Sequence, residues 1–443
     1  MIIHFIGIGG IGMSALAEIC LERGDRVSGS DLKENDRTRA LQQRGASLFY
    51  GHSRDHIPGK CQKVIFTSAV GPDNPEWDEA LKREIPLISR GTFLADLFKE
   101  KEVYGVVGSH GKTTTASFTA SALLALEGEK ASYYIGGILS QTGWNGHWGE
   151  GRRASVELDE SDGSFLSFQK GEAALITNIE LEHVDNYRNE ERYREAFQEF
   201  VESFRGPVFA GEEAAGKLKK TGNGLVTVGL KRGRIRPDEW GDDYFRIGKR
   251  TCHLKKRGAH NVFDAFLAYA ALSETGCDPD KVFQGLEMYE GTGRRMELLA
   301  RKGGIAVYDD YGHHPTEIEA ALRGEESKAP TMILFQPHRY TRFKMFYRRF
   351  LEVFRNRGDF IVVLPVYGAS EKKVKSPDGM DFVKELSSFR SGVFYAGGVD
   401  EAYHLMRSLL SSPMTVISFG AGDGNLAVRR LARDVGEEES WPM

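Results

Sequence analysis

The sequence predicts an α/β protein of about three domains, each built on a largely parallel sheet. Three observations predict it. The chain has 443 residues, and a domain takes roughly 150. Short apolar runs alternate with helix-like stretches along most of the chain, the pattern of βαβ units. Two glycine-rich loops, at 7–12 and 108–111, each stand between an apolar run and a helical stretch.

Taken in order, IIHFIGIG reads as a buried strand, residues 14–23 as a helix, and RVSGS and VIFTSAV as further strands. The charged stretch FKEKE at 98–102 reads as a linker or domain edge. VYGVVGSHGKTTTASFTASALLAL opens a second strand–loop–helix unit, with strands ASVELD and AALITNI after it. Residues 206–258 are rich in Gly and Lys, with short β-like pieces (GLVTVGL, YFRIG, TCHLKK), and read as the less regular edge of the central domain. His260 to Thr275 is a helix by its Ala- and Leu-rich pattern. A Gly-rich hinge, GTGRRME, follows at 291–297. The strands GIAVYDD, TMILFQP, DFIVVLPV, GVFYAG and TVISFGAG then build a third α/β domain. The expected domains are 1–98, 99–291 and 292–443.

Composition narrows the class. Hydrophobic residues make 40% and charged residues 28%, as in an ordinary globular protein. A net charge of -4 argues against general binding to nucleic acid or anionic membranes. The four cysteines (Cys20, Cys61, Cys252, Cys277) show no CxxC spacing, so neither a disulfide framework nor a zinc site is expected. The opening MIIHFIGIGG lacks the basic n-region of a signal peptide, and no run of 18 apolar residues exists. A cytoplasmic protein is the expectation.

Gly7, Gly9 and Gly12 form G-x-G-x-x-G after a strand and before a helix, and Asp31 follows at the end of the next strand. This pattern brings backbone and a helix N-terminus to a diphosphate, with the carboxylate placed for a ribose. NAD(P), another nucleotide diphosphate and a bare βα turn all satisfy it. The second loop, Gly108-Ser109-His110-Gly111-Lys112-Thr113-Thr114, departs from the full G-x-x-x-x-G-K-[ST] spacing because residue 106 is Val. It still carries the parts of a phosphate cradle. Backbone N–H groups wrap the phosphates, Lys112 neutralises the β- and γ-phosphates, and Thr113 reaches Mg2+. Two phosphate loops suit an enzyme that uses ATP on a nucleotide-linked substrate.

Glu157, Asp159, Glu160 and Asp162 put four carboxylates within six residues at a strand end. Singly, each reads as a solvated loop residue. Beside the lysine loop, Glu157 and His183 become candidates for an oxygen-rich Mg2+ site. In the third domain, DDYGHHP and FQPHRYTR follow strands, and Arg339 and Arg342 suit a bidentate clamp on a carboxylate.

GSHGKTTT, ELDESDGSF, TNIELEHVDNY, GTGRRME, DDYGHHPTEI and FQPHRYTR occur in an order that resembles the Mur ligases, and the likeness runs from residue 2 to about Gly424. The resemblance implies a Rossmann-like N-terminal domain, a P-loop-type central mononucleotide-binding α/β domain and a Rossmann-like C-terminal domain. It implies an ATP- and Mg2+-dependent ligase of peptidoglycan precursor synthesis, most similar to members that join L-alanine to UDP-N-acetylmuramate through an acyl phosphate. The first loop then serves UDP rather than NAD, with Gly9, Gly10, Ile11, Gly12, Asp31 and Ser68 at the UDP-sugar. Carried over by motif, Gly108 to Thr114 hold the ATP phosphates, and Thr113, Glu157 and His183 the metal. His260 and Asn261 match an adenine contact, Arg295 and Asp310 a pair near ATP. Tyr311, His313, Arg339 and Arg342 match the alanine side. A monomer or weak homodimer, and hinges near 98–102 and 291–293, are expected. There are three departures. Asp264 stands where Asn is usual, and Glu182 where Asp is usual. No lysine lies between Asn178 and Arg205 to serve as a carbamylated metal bridge.

Overall fold

The computed structural model describes residues 1–437 except 183, 188, 220–223, 326–328, 370 and 372–375, and leaves aside the side chains of 184 and 185. Two compact units divide the chain, Met1–Thr292 and Gly293–Met443. Among the described residues no helix is long and apolar enough to cross a membrane.

The first unit carries two main sheets. Strands β1 (Ile2–Ile6), β2 (Arg26–Asp31), β3 (Ser47–Tyr50), β4 (Lys63–Phe66) and β5 (Leu87–Ser89) lie in the order β3-β2-β1-β4-β5. All four pairings are parallel. From β1 the chain winds one way to β2 and β3 and the other way to β4 and β5. The switch point therefore falls at the carboxyl end of β1, where open α/β sheets leave a ligand crevice. That end is the first glycine loop.

Strands β6 (Glu102–Val107), β7 (Ser132–Leu139), β8 (Trp144–His147), β9 (Arg153–Glu157), β10 (Ala173–Ile176), β11 (Val208–Gly211) and β12 (Leu225–Val228) form the second sheet, ordered β12-β11-β10-β6-β9-β7-β8. Here β6 sits between parallel neighbours β10 and β9, so the second glycine loop also opens at a switch point. The helix after it, Lys112–Glu127, is buried almost all round. Its Ala, Ser and Thr side chains are small enough for that. At one crossing a Cβ on Gly285 would lie 2.4 Å from the Cα of Ala122, so only glycine admits this approach. Strands β13 (Glu239–Trp240), β14 (Tyr244–Ile247) and β15 (Arg250–His253) make a small antiparallel sheet within the stretch expected to be irregular, 206–258, whereas β11 and β12 of the same stretch are regular parallel strands of the main sheet.

The second unit holds β16 (Glu297–Lys302), β17 (Ile305–Asp310), β18 (Thr331–Phe335), β19 (Phe360–Val363), β20 (Val393–Tyr395) and β21 (Met414–Phe419), ordered β16-β17-β21-β18-β19-β20. Only β16 runs antiparallel. It is absent from the sequence-based expectation because its exposed ELLARK pattern lacks an apolar run.

The FKEKE stretch is not a free tether. Lys101 Nζ donates to the carbonyls of Gly149 at 2.6 Å and Gly151 at 2.5 Å and stands over the Trp148 ring, and Glu102 already starts β6. One continuous apolar cluster runs from Ile3 and Phe93 through Val103, Phe165 and Phe197. A shared core of that kind opposes a hinge at 98–102.

Candidate functional site

The first glycine loop is built by contacts that exclude side chains. A Cβ on Gly9 would lie 2.6 Å from Asn35 Nδ2 and 2.8 Å from Asp31 Oδ2. The N–H groups of Gly7 and Ile8 donate to the Ser30 carbonyl, and Gly10 N–H to that of Gly7. The Gly9 N–H donates to Asp31 Oδ2 at 2.8 Å. Asp31 thus has one oxygen committed to the loop rather than open to a ribose. With these four N–H groups occupied, the anion donors at this end are those of the first turn of the helix Ile11–Glu22, which lack intrahelical acceptors. Gly10 caps that helix without a side-chain bond. Ser68 lies exposed in the turn after β4, the strand beside β1.

The second loop is sutured to the end of β10. Asn178 accepts the His110 N–H at 2.9 Å and donates to the His110 carbonyl at 2.9 Å. Thr177 donates to the same carbonyl at 2.6 Å. Ser109 Oγ donates to the Glu180 carbonyl and accepts the Glu180 N–H. Gly108 at φ +145° would put a Cβ 2.0 Å from Thr177 Oγ1, and Gly111 at φ +78° caps the helix Lys112–Glu127 in the left-handed region. Asn178 and Thr177 were not among the sequence candidates. Their position at a parallel strand's carboxyl end was the available signal.

Chemistry gathers at the start of that helix. Lys112 Nζ donates to the carbonyls of Gly108 (2.6 Å) and Ser109 (2.9 Å) and pairs with Glu160 at 3.0 Å. Burial pulls the lysine pKa down, but Glu160, Glu182, Glu157 and Asp159 outweigh it and the net shift is upward. It is a full cation held in reserve. Thr113 Oγ1 donates to Glu157 Oε1 at 3.0 Å, and Glu157 Oε2 accepts the Gly136 N–H at 2.7 Å. A hydroxyl and a carboxylate side by side fit a hard cation that takes oxygen ligands. His183 lies outside the described residues. Thr114 occupies the helix's first turn beside Thr113.

At the helix Ala259–Glu274, Asn261 Nδ2 donates to the Arg257 carbonyl at 2.7 Å and stands 3.1 Å from His260 Nε2. Burial lowers the His260 pKa to about 4, so its ring is neutral at pH 7. Asp264, one turn on, is buried and does not face away from the phosphate loop. Its Oδ1 would stand 2.8 Å from a Cβ on Gly111.

In the second unit, Tyr311, His313, Arg339 and Arg342 come close to one another. The Tyr311 and His313 rings lie 5.4 Å apart, edge to face, and His313 lies 5.6 Å from His338. Arg342 Nη1 is 3.1 Å from His338 Nδ1. Arg339 stands at φ +63° with its N–H on the Tyr367 carbonyl. A non-glycine residue in that region stores strain that the surroundings must hold. His338 is a member that sequence reasoning passed over. Burial, then His313, Arg342 and Arg339, push its pKa down to about 2. Asp310 accepts N–H groups from Met296 (2.8 Å) and Gly312 (2.6 Å), and burial raises its pKa to about 6 against the pull of Arg295. Arg295 itself pairs with Glu317 at 3.7 Å. His314 stands before Pro315 and caps the helix Pro315–Gly324, its side chain accepting the Thr316 N–H.

Three family models match in sequence order: Mur ligase family, catalytic domain, over residues 2–102; Mur ligase middle domain over 106–272; and Mur ligase, glutamate ligase domain, over 294–422. The chain is 38% identical to a UDP-N-acetylmuramate–L-alanine ligase of Aquifex aeolicus, with 98% of both chains covered. It is 35% identical to one of Carboxydothermus hydrogenoformans, covering 96% of this chain and 94% of that one. The solved UDP-N-acetylmuramate-alanine ligase of Thermotoga maritima matches with a TM-score of 0.84 at 30% identity, over 99% of this chain and 100% of that one. A murein peptide ligase of Psychrobacter arcticus, at 19% identity and a TM-score of 0.71, shares the three-domain fold. With both glycine loops at sheet switch points and this likeness over the whole length, the chain belongs to the Mur ligase family.

Proposed function

We propose that the chain joins L-alanine to the lactyl carboxylate of UDP-N-acetylmuramate in the bacterial cytoplasm, converting ATP to ADP and phosphate, as a step of peptidoglycan precursor synthesis. The full-length likeness to enzymes of that name carries this reading. The sorted charges around Lys112 support it.

In this reading, residues 1–98 bind the UDP-sugar through the helix start at Gly10, Ile11 and Gly12, with Asp31 and Ser68 beside it. Residues 99–291 bind ATP through Gly108 to Thr114, with His260 and Asn261 at the base. Residues 292–443 take the amino acid, Arg339 and Arg342 clamping its carboxylate, with Arg295 and Asp310 serving ATP. Thr113, Glu157 and His183 would hold Mg2+, which when bound neutralises charge on the transferring phosphoryl group.

The lactyl carboxylate attacks the γ-phosphorus, the bond to the bridging oxygen breaks with ADP as leaving group, and an acyl phosphate forms. Lys112 exchanges its loop carbonyls and Glu160 for the phosphate oxygens, so a cation already present meets the developing charge. The alanine amine attacks the acyl carbon, phosphate leaves, and the surplus amine proton passes to the departing phosphate or to solvent. Holding the reactants aligned supplies much of the rate, since effective molarities reach ~10^5 M or more.

The test is phosphate release with ATP, Mg2+ and UDP-N-acetylmuramate, screened across amino acids. Alanine should stimulate it most, and no stimulation by any amino acid would overturn the reading. Lys112→Ala should lower turnover by a hundredfold or more, with calorimetric UDP-sugar binding kept. Loss of both together would mean that the variant has unfolded.

A further inference from the structure

The acidic loop after β9 distributes its carboxylates among different partners. Glu157 takes Thr113, Glu160 takes Lys112, and Asp159 turns away to Arg90. Arg90 belongs to the other sheet's layer, at the first position of the helix Arg90–Phe98. Its Nη2 lies 2.5 Å from Asp159 Oδ2 and 3.7 Å from Asp162, and its Nη1 lies 3.4 Å from the Tyr134 hydroxyl. Ser161 N–H holds the other Asp159 oxygen at 2.9 Å.

Space for this arrangement is made by glycines. A Cβ on Gly12, in the first turn after the first glycine loop, would lie 2.7 Å from Arg90 Nη1 and 2.5 Å from the Tyr134 hydroxyl. One on Gly91 would lie 2.1 Å from Ser164 Cβ. The same seam is closed further along, where Asn145 Nδ2 donates to the Ile11 carbonyl at 2.7 Å and a Gly146 Cβ would meet the Ala15 carbonyl at 2.5 Å. Arg90 thus touches both the start of the first helix and the acidic loop that faces Lys112.

We propose that Arg90 is a positioning residue that holds Asp159 off Lys112, so that the lysine keeps its pairing with Glu160 and does not also have to release Asp159 when phosphate arrives. The inference rests on the ligase reading above. The charge argument is direct. Asp159 acts electrostatically on Lys112 as well as on Arg90. Opposite charges in a partly buried site attract one another strongly enough to compete for a partner. Without Arg90, Asp159 would be drawn toward Lys112, which already acts on it electrostatically, and a lysine held by two carboxylates is a poorer phosphate ligand.

The experiment measures steady-state phosphate release and calorimetric UDP binding for wild type, R90K, R90Q and R90Q/D159N. For R90Q, kcat should fall tenfold or more and the KM for ATP should rise, while the Kd for UDP stays within threefold, which also reports a folded chain. R90K should fall between R90Q and wild type. R90Q/D159N, which removes the stray carboxylate, should recover kcat at least threefold over R90Q. A structural prop would show no such recovery. An unchanged kcat in R90Q, a double variant no better than R90Q, or UDP binding lost in step with kcat would overturn the proposal. Absence of phosphate release in the wild type would instead sink the ligase reading and leave the geometry of Arg90 untouched.

Discussion

Glu157, Asp159 and Glu160 show how little a residue's type says about its task. The three are neighbours in sequence with the same charge, yet they hold a hydroxyl, an arginine and a lysine respectively. The difference comes from what the sheet edge places opposite each of them. His260 is a second case at this scale. Its ring is kept neutral by burial, with a pKa lowered from 6.5 to about 4. A histidine depressed in the fold contributes stability that is complete above pH 6.5 and lost as the pH falls toward 4, because the unfolded chain binds the proton more tightly. We expect His260→Gln to flatten the stability of the first unit between pH 7 and 5, by on the order of 2 kcal/mol. Thermal melts of both proteins across that range check it. Parallel curves would show that the ring ionises freely in the fold.

At the scale of elements, the helices near the sites are placed by polar contacts as much as by apolar faces. The helix Pro75–Lys82 carries at its second position Glu76, which is fully buried. It accepts from His4 Nε2 at 2.9 Å and Ser30 Oγ at 2.6 Å, and lies 3.2 Å from Nδ1 of both His52 and His56. Ser30 in turn offers its carbonyl to Gly7 and Ile8, so this network lies directly beneath the first glycine loop. Burial alone would raise the Glu76 pKa, but the bonds from His4 and Ser30 outweigh it and bring the value to about 2. Its stabilisation is complete above the ordinary value of 4.5 and lost as the pH falls toward 2. Glu76→Gln should cost about 3 kcal/mol at pH 7, because it leaves buried donors without their anion. The measurement is the shift of the thermal transition that UDP binding raises. No shift would mean that solvent already satisfies the histidines.

The element scale is also where the sequence was most readable. Strands β1, β2, β4, β6, β9, β10, β12 and β17 to β21 coincide with the apolar runs and both glycine loops sit where the alternation puts them, whereas the parallel strands β3, β5, β7 and β11 lie outside the runs singled out in the sequence. β16 escaped notice because an exposed antiparallel edge has no apolar run. VIFTSAV ends as a strand at Phe66, because Thr67 to Val70 close a turn. Arg90 had no local signal. Its partner Asp159 is 69 residues away, and nothing around residue 90 marks it as part of a site.

For the whole molecule, the division of cores sets what can stand alone. The apolar clusters of the second unit, around Val307, Leu334 and Val416 and around Phe335, Phe350 and Phe382, draw only on residues after 293. In the first unit one cluster joins residues of both sheets, from Ile3 to Leu218. Residues 293–443 expressed alone should therefore fold, with a cooperative thermal transition and native circular dichroism. Residues 1–98 alone should not reach their full stability, since they lose Phe165, Val156 and the Asn145 contact. A non-cooperative melt for 293–443 would show that its core is incomplete.

By itself the sequence determined the α/β class, the two glycine-rich strand–loop–helix turns and the family, because these rest on local patterns: apolar period, glycine spacing, and a lysine and threonine at a helix start. Only the tertiary structure decided that Asp31 holds Gly9, that Asn178 and Thr177 fasten the second loop, that Asp159 belongs to Arg90 rather than to Lys112, and that 98–102 is part of a shared core. These are pairings between groups tens of residues apart. Their energies depend on distances of 3 Å to 4 Å that no local pattern encodes.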